Sequence, residues 1–187
     1  MIRLFAALRP PPAIRDALAD LMDGVPGARW QDYEQLHLTL RFIGHTHLDR
    51  GEVDRALEML SRSEAIARGL GRSGLAAQIR YWAGRAMLAG GDREGARKAF
   101  GDVLAAFPPG SGLGHAYARH GFGDLAVAEG RTDEARDHLA EAAALAHDSA
   151  DVALQGRVDM SEAAVEGSLG HPAERIVALL RAVARFQ

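Results

Sequence analysis

A short polar turn built on glycine comes back four times at a nearly fixed interval, and that recurrence constrains the fold more than any other feature. The copies are Asp49-Arg50-Gly51-Glu52, Gly90-Gly91-Asp92-Arg93, Glu129-Gly130-Arg131-Thr132 and Leu169-Gly170-His171-Pro172. Their central glycines, Gly51, Gly91, Gly130 and Gly170, stand 40, 39 and 40 residues apart. A period of this length signals stacked supersecondary units, because one helical hairpin cannot bury its apolar face alone.

From residue 46 onward alanine, leucine, arginine and glutamate dominate, all strong helix formers. Each repeat therefore reads as helix, glycine turn, helix. After the turns, apolar residues recur at helical spacing: Ala56, Leu57, Leu60 and Ile66, then Ala96, Phe100, Val103 and Leu104. Ala135, Leu139, Ala142 and Leu145 follow in the third copy, and Ile176, Leu179, Leu180 and Val183 in the fourth. The helices before the turns carry stripes too, as in Trp82, Ala83, Ala86 and Met87. Asp92 and Thr132 suit helix N-caps, and Pro172 suits a first helical turn. Pro108 closes the second repeat.

The chain has 187 residues, enough for a sizeable core, with 48% apolar and 25% charged residues. A net charge of −3 offers no footprint for DNA or an acidic membrane surface. The absence of cysteine excludes disulfides and thiolate chemistry and fits a cytoplasmic setting. No apolar run approaches the ~20 residues of a membrane span. Arginine supplies nearly all positive charge, which reads as codon bias before anion recognition.

The first forty-five residues follow a different pattern. Ile2 to Leu8 is a compact apolar run ended by Pro10-Pro11-Pro12, and it predicts a strand. Ile14, Ala17, Leu18 and Leu21 then mark one helical stripe, which Gly24 and Pro26 stop. In Leu36-His37-Leu38-Thr39-Leu40-Arg41-Phe42-Ile43-Gly44 the residues alternate, placing Leu36, Leu38, Leu40 and Phe42 on one face of a strand and His37, Thr39 and Arg41 on the other. Just beyond, His45-x-His47-x-Asp49 has a metal-like spacing with no continuation, and it reads as a polar turn; no metal or cofactor is expected.

Two family resemblances attach to these patterns. The repeats, over roughly residues 50–187, resemble a tetratricopeptide (TPR) array. The matching positions are a small residue in the first helix (Gly84, Gly123, Ala163), the turn glycine, and an alanine followed four residues later by a large apolar residue (Ala96 with Phe100, Ala135 with Leu139). The period exceeds the ~34 residues usual for that family. The resemblance implies that the first helices line a concave face. In that register Gln78, Tyr81, Arg85, Tyr117, His120 and Asp124 are the candidates for contact with a protein or peptide partner.

Residues 1 to about 45 resemble the N-terminal part of the 2H phosphoesterases, the RNA 2′,3′-cyclic phosphodiesterase branch in particular. Arg3-Leu4-Phe5-Ala6-Ala7-Leu8, Gly27-Ala28-Arg29-Trp30 and the His37-x-Thr39 strand carry the likeness. It implies His37 as an acid/base and Thr39 as a phosphate donor, since opening a cyclic phosphate requires proton transfers and hydrogen-bond donors toward phosphorus. The family pairs two such motifs. The only further His-x-Ser/Thr here is His147-Asp148-Ser149, between two helical patterns and without the alternation of a strand.

The expected architecture is mainly α: a TPR-like α-α superhelix of three to four helical hairpins over residues 46–187, preceded by a small βαβ segment over 1–45. The expected function is a protein-protein interaction scaffold. The alternative is a cyclic phosphodiesterase acting on RNA ends, impaired by loss of the second motif. Repeat register conflicts with the strand at residues 37–47, where the first repeat's leading helix would fall. The alternation favours a strand through Ile43, leaving the first repeat with its second helix only.

Overall fold

The structure, a computed structural model, describes residues 7–8, 12, 16, 38–39, 47–48, 50–108 and 111–185. Seven helices follow one another among them: α1 (Val53–Gly69), α2 (Ser73–Ala89), α3 (Arg93–Ala106), α4 (Gly112–Ala128), α5 (Thr132–Asp148), α6 (Val152–Ser168) and α7 (Pro172–Arg185). Each packs on its successor, and α2, α4 and α6 also touch in sequence. The result is the stacked helical repeat that the period predicts.

The turns are more regular than the sequence suggests. Six of them share one hydrogen-bond pattern, the Schellman closure that satisfies carbonyls at a helix C-terminus. At Gly91, for example, its N–H donates to Leu88 O and the next N–H, of Asp92, donates to Met87 O. The same pair of bonds closes the turns at Gly51, Gly71, Gly130, Ala150 and Gly170. All six central residues have positive φ, from 53° at Ala150 to 86° at Gly91. Two of these turns, at Gly71 and Ala150, fall midway between the predicted ones. The turn recurs at every half-period except the one between α3 and α4, between hairpins as well as within them.

The residue after each turn starts the next helix. Asp92 accepts a bond from Gly95 N and Asp151 one from Leu154 N, so both are side-chain N-caps. Thr132 is not a cap: it is the first residue of α5, behind Arg131, which makes no capping bond. Pro172 opens α7, as expected. α3 ends differently. Phe107 is extended, with φ −114° and ψ 137°, the conformation that a following proline imposes.

The main core runs from α1 to α6. Leu60, Ile79, Tyr81, Phe100, Val103, Leu125 and Leu154 are all buried within it or against it. Small residues let the helices approach. A Cβ on Gly84 would stand 2.6 Å from the Phe100 ring and one on Gly121 2.4 Å from it; one on Gly123 would stand 2.7 Å from Leu139. The apolar stripes after the first three turns face inward in large part. The fourth does not: Ile176, Leu179, Leu180 and Val183 are 42–64% exposed, and α7 instead buries Ala178 and Ala182. No later helix among the described residues covers the stripe, so position in the array overrides its apolar character.

Less is described of the N-terminal region. Two-residue strands, β1 (Ala7–Leu8) and β2 (Leu38–Thr39), pair antiparallel with Ala7 opposite Thr39. Pro12 and Asp16 have helical backbone. The rest of residues 1–46, including His37, lies outside the described residues, so a βαβ segment is not supported as a unit. His47 and Leu48 are helical, and the turn at Gly51 closes on their carbonyls.

Candidate binding site on the inner face

The first helices of the hairpins, α2, α4 and α6, together frame a cavity of about 410 Å³. Every residue lining it comes from those three helices, among them Arg85, Asp124, Arg157, Met160 and Ser161. This is the concave side of the stack, where hairpin repeats expose their first helices.

Beneath the cavity lies a polar chain that joins all three helices. The Tyr81 hydroxyl on α2 is 2.8 Å from His120 Nδ1 on α4. His120 Nε2 is 3.2 Å from Ser161 Oγ on α6, and Ser161 donates to Asp124 Oδ1 at 2.5 Å. Arg85 Nε stands 3.4 Å from the other oxygen of Asp124. The hydrogen inventory fixes the direction of the chain. Ser161 has one proton, and the carboxylate takes it. His120 must then donate from Nε2, so Nδ1 accepts and Tyr81 is its donor. His120 is neutral in this arrangement. Burial holds its pKa below the ordinary value, only partly opposed by Asp124. Burial also raises the pKa of Tyr81.

The same geometry speaks against nucleophilic catalysis by Ser161. Its proton goes to Asp124, and the nitrogen facing it carries a hydrogen, so His120 is not placed as its base. The chain of donors instead fixes three helices in register, and Asp124 and Ser161 emerge from it at the cavity wall.

Aromatic packing surrounds the network. Tyr81 lies 5.0 Å from Trp82 and 4.9 Å from Tyr117, centroid to centroid. The guanidinium of Arg157 sits 4.5 Å from the Trp82 ring centroid and that of Arg85 sits 5.3 Å from it, both within cation–π range. Tyr117 donates to Asp151 Oδ2 at 2.9 Å, while Asp151 Oδ1 caps α6. An aromatic side chain thus reaches across to fix the start of the next repeat.

The six residues that register assigns to the concave face divide into two groups. Tyr81 and His120 are fully buried and Tyr117 nearly so, which makes them supports, not surface contacts. Arg85 and Asp124 line the cavity. Gln78 is part-buried on α2 and does not line it. Sequence reasoning stopped one repeat short. Advancing Tyr117, His120 and Asp124 by the 40 residues between Gly130 and Gly170 gives Arg157, Met160 and Ala164, and all three line the cavity.

Of the two residues that the phosphoesterase resemblance implies, Thr39 lies in β2 and His37 falls outside the described residues. His147 and Asp148 form the end of helix α5, so the other His-x-Ser sequence is not on a strand. His47 turns its Nδ1 to Glu52 across the first turn, and no group of three or more potential metal ligands occurs among the described residues.

Comparison with known families finds two matches, in the order that the resemblances predict. Residues 8–71 match the family described as LigT like Phosphoesterase, and residues 78–109 match the family described as Tetratricopeptide repeat. Neither spans half of the chain. The first extends past residue 45 through all of α1, a helix that also fits the repeat geometry. No curated protein matches the chain significantly.

Proposed function

We propose that the protein is an interaction scaffold that holds a peptide segment of a partner protein across α2, α4 and α6. The cavity on the inner face carries this reading, because three consecutive repeats contribute to it and the tetratricopeptide match spans most of α2 and all of α3. Its chemistry is mixed. Met160, 54% exposed, and the alanines around it suit an apolar side chain. Arg85 and Arg157 outnumber Asp124, so a carboxylate or other acceptor beside that side chain complements the wall. Residues 46–187 would form the binding unit.

The reading is tested by selecting peptides on the wild-type protein from a random library and measuring their affinity for Arg157→Glu and Met160→Glu variants. Loss of at least about tenfold, equivalent to ~1.4 kcal/mol, is expected for both. Selected peptides that bind both variants as tightly as wild type overturn it.

A second reading rests on the LigT-like match over residues 8–71. In it, His37 and Thr39 supply half of a cyclic phosphodiesterase site. Hydrolysis of a short RNA ending in a 2′,3′-cyclic phosphate, compared between wild type and His37→Ala, decides it. Turnover lost in the variant supports this reading, and equal rates in the two proteins dismiss it.

A further inference from the structure

Another cavity, of about 520 Å³, opens between α5 and α7 with α6 as its floor. It shares no lining residue with the cavity on the inner face. Repeat register accounts for the space. One repeat earlier the equivalent groove is filled by rings: Phe122 packs edge-on to Phe100, with centroids 5.9 Å apart, and stacks on His138 at 5.6 Å. Advancing by the 39 or 40 residues of the period puts Leu139 in place of Phe100, Glu162 in place of Phe122 and Ala178 in place of His138. Each of the three is smaller than the ring it stands for, and all three line the cavity.

Charge in this cavity is layered. The side chains of Glu162 and Glu166 on α6 are 30% and 18% exposed, and those of Arg181 and Arg136, which pair with them, are 48% and 46% exposed. Glu166 is well served: Arg136 donates to one oxygen at 2.8 Å, and His171 Nδ1 lies 2.8 Å from the other. Among the described residues Glu162 is paired with Arg181 only, and Arg181 also donates through Nε to Asp159 Oδ1 at 3.0 Å. Burial raises the pKa of Glu162, Asp159 and Glu166 add to the rise and Arg181 opposes it, so this carboxylate is short of positive charge. Asp159 is short of it too. It is buried, and its Oδ2 accepts no hydrogen bond among the described residues, with Arg185 Nε 3.5 Å away. With Glu174 on the wall, the lining carries three carboxylates and two guanidiniums.

We propose that this cavity binds an alkylammonium group, a primary amine on an apolar stem, with the ammonium on Glu162 and the stem along Leu139, Val165 and Ala178. The ammonium replaces Nη2 of Arg181 on Glu162. The exchange costs little, because a half-exposed guanidinium reaches water readily and its ion pair contributes little to stability. It also satisfies a buried group. Arg181 stays on Asp159 through Nε, and the released Nη2 turns to the orphaned Oδ2, completing the two-bond fork that a guanidinium and a carboxylate favour. A carboxylate ligand has no such place, since the more buried charges of the cavity are themselves carboxylates. A free aliphatic diamine and the lysine side chain of a partner share the required chemistry. This inference is independent of the inner-face site.

NMR titration of the isotope-labelled full chain tests it. Cadaverine and Nα-acetyl-lysine methylamide are each expected to bind saturably and to shift the resonances of Leu139, Val165 and Ala178. Pentanol, with a similar stem and no charge, should bind at least about tenfold more weakly. Glu162→Gln should weaken both amines by a similar factor. Glu162→Phe restores the ring of the preceding repeat, and it should abolish binding with an unchanged helical circular dichroism spectrum. Tighter binding of cadaverine assigns the site to a free diamine, and tighter binding of the lysine derivative assigns it to a partner's side chain. Pentanol bound as tightly as the amines, amine affinity unchanged in Glu162→Gln, or no saturable binding of either amine overturns the proposal.

Discussion

Tyr81 and His120, 39 residues apart in sequence, join two successive repeats through a 2.8 Å hydrogen bond with neither side chain exposed. Since Tyr81 is the donor, Tyr81→Phe removes the only proton aimed at Nδ1 and leaves a buried acceptor. A loss of about 1–3 kcal/mol is expected from urea denaturation. Replacing His120 with leucine in the same chain removes the orphaned nitrogen. The double variant should then lose less than the two single losses added together, with a coupling of at least about 0.5 kcal/mol. Strict additivity would show that the hydrogen bond contributes nothing.

The same histidine gives stability a pH dependence of known sign. Its folded pKa is depressed by burial, so between that value and the ordinary value near 6.5 the unfolded chain holds the extra proton. Stability must therefore fall as pH drops below about 6.5, with a slope of up to ~1.4 kcal/mol per pH unit. His138, also depressed by burial, acts in the same direction. The charged groups nearest His120 are Asp124, which favours its protonation, and Arg85 and Arg157, which oppose it. Urea midpoints measured from pH 7.5 down to the onset of carboxylate titration check the slope. His120→Gln should flatten it, and a flat wild-type profile would place the histidine in contact with water.

Ala150 occupies a turn position that glycine holds in the five equivalent turns, at φ 53°. A residue with a Cβ costs roughly 1–2 kcal/mol in this left-handed region, whereas glycine does not. Ala150→Gly relieves that strain, offset by the greater entropy of glycine in the unfolded chain, about 0.4–1 kcal/mol. The expected net gain is about 0.5–1 kcal/mol, a rise of a few degrees in melting temperature. Gly130→Ala should move the melting temperature the other way. A fall on Ala150→Gly would mean that the turn is not strained.

The Ala150 turn also marks what the sequence conceals. The 40-residue period was legible because glycine is the residue that fits a left-handed turn, and four such glycines stand in similar polar settings. At Gly71 and Ala150 the same backbone closure has another sequence around it, so two of the six turns escaped notice. Register assigned Tyr81, His120 and Asp124 to contact with a partner; in the structure His120 stands beside both of the others. Whether each points to solvent or into the core depends on how closely helices approach, and that is set by glycines on one helix facing rings on another. Thr39 and its neighbours alternate as a strand does, and β2 is a strand there. The exposed stripe on α7 has the pattern of a core face, because periodicity records that a face is apolar and not what covers it.

The glycines inside the helices supply the last test. Gly121 in α4 and Gly101 in α3 both lie in helical backbone, where glycine costs about 1 kcal/mol relative to alanine. Their surroundings differ. A Cβ at position 101 meets nothing within 4 Å, while one at position 121 would lie 2.4–2.7 Å from three atoms of the Phe100 ring. Phe100 is fully buried and edge-on to Phe122, with ring centroids 5.9 Å apart, so it has little room to retreat. Gly101→Ala should therefore stabilise the protein by up to about 1 kcal/mol through helix propensity alone. Gly121→Ala gains the same propensity but incurs an overpacking cost of roughly 1–3 kcal/mol, so the expected net change lies between zero and a loss of ~2 kcal/mol. Thermal unfolding of the two variants beside wild type separates the terms. Equal gains in both would show that α3 and α4 are not as closely packed as the Phe100 contact requires.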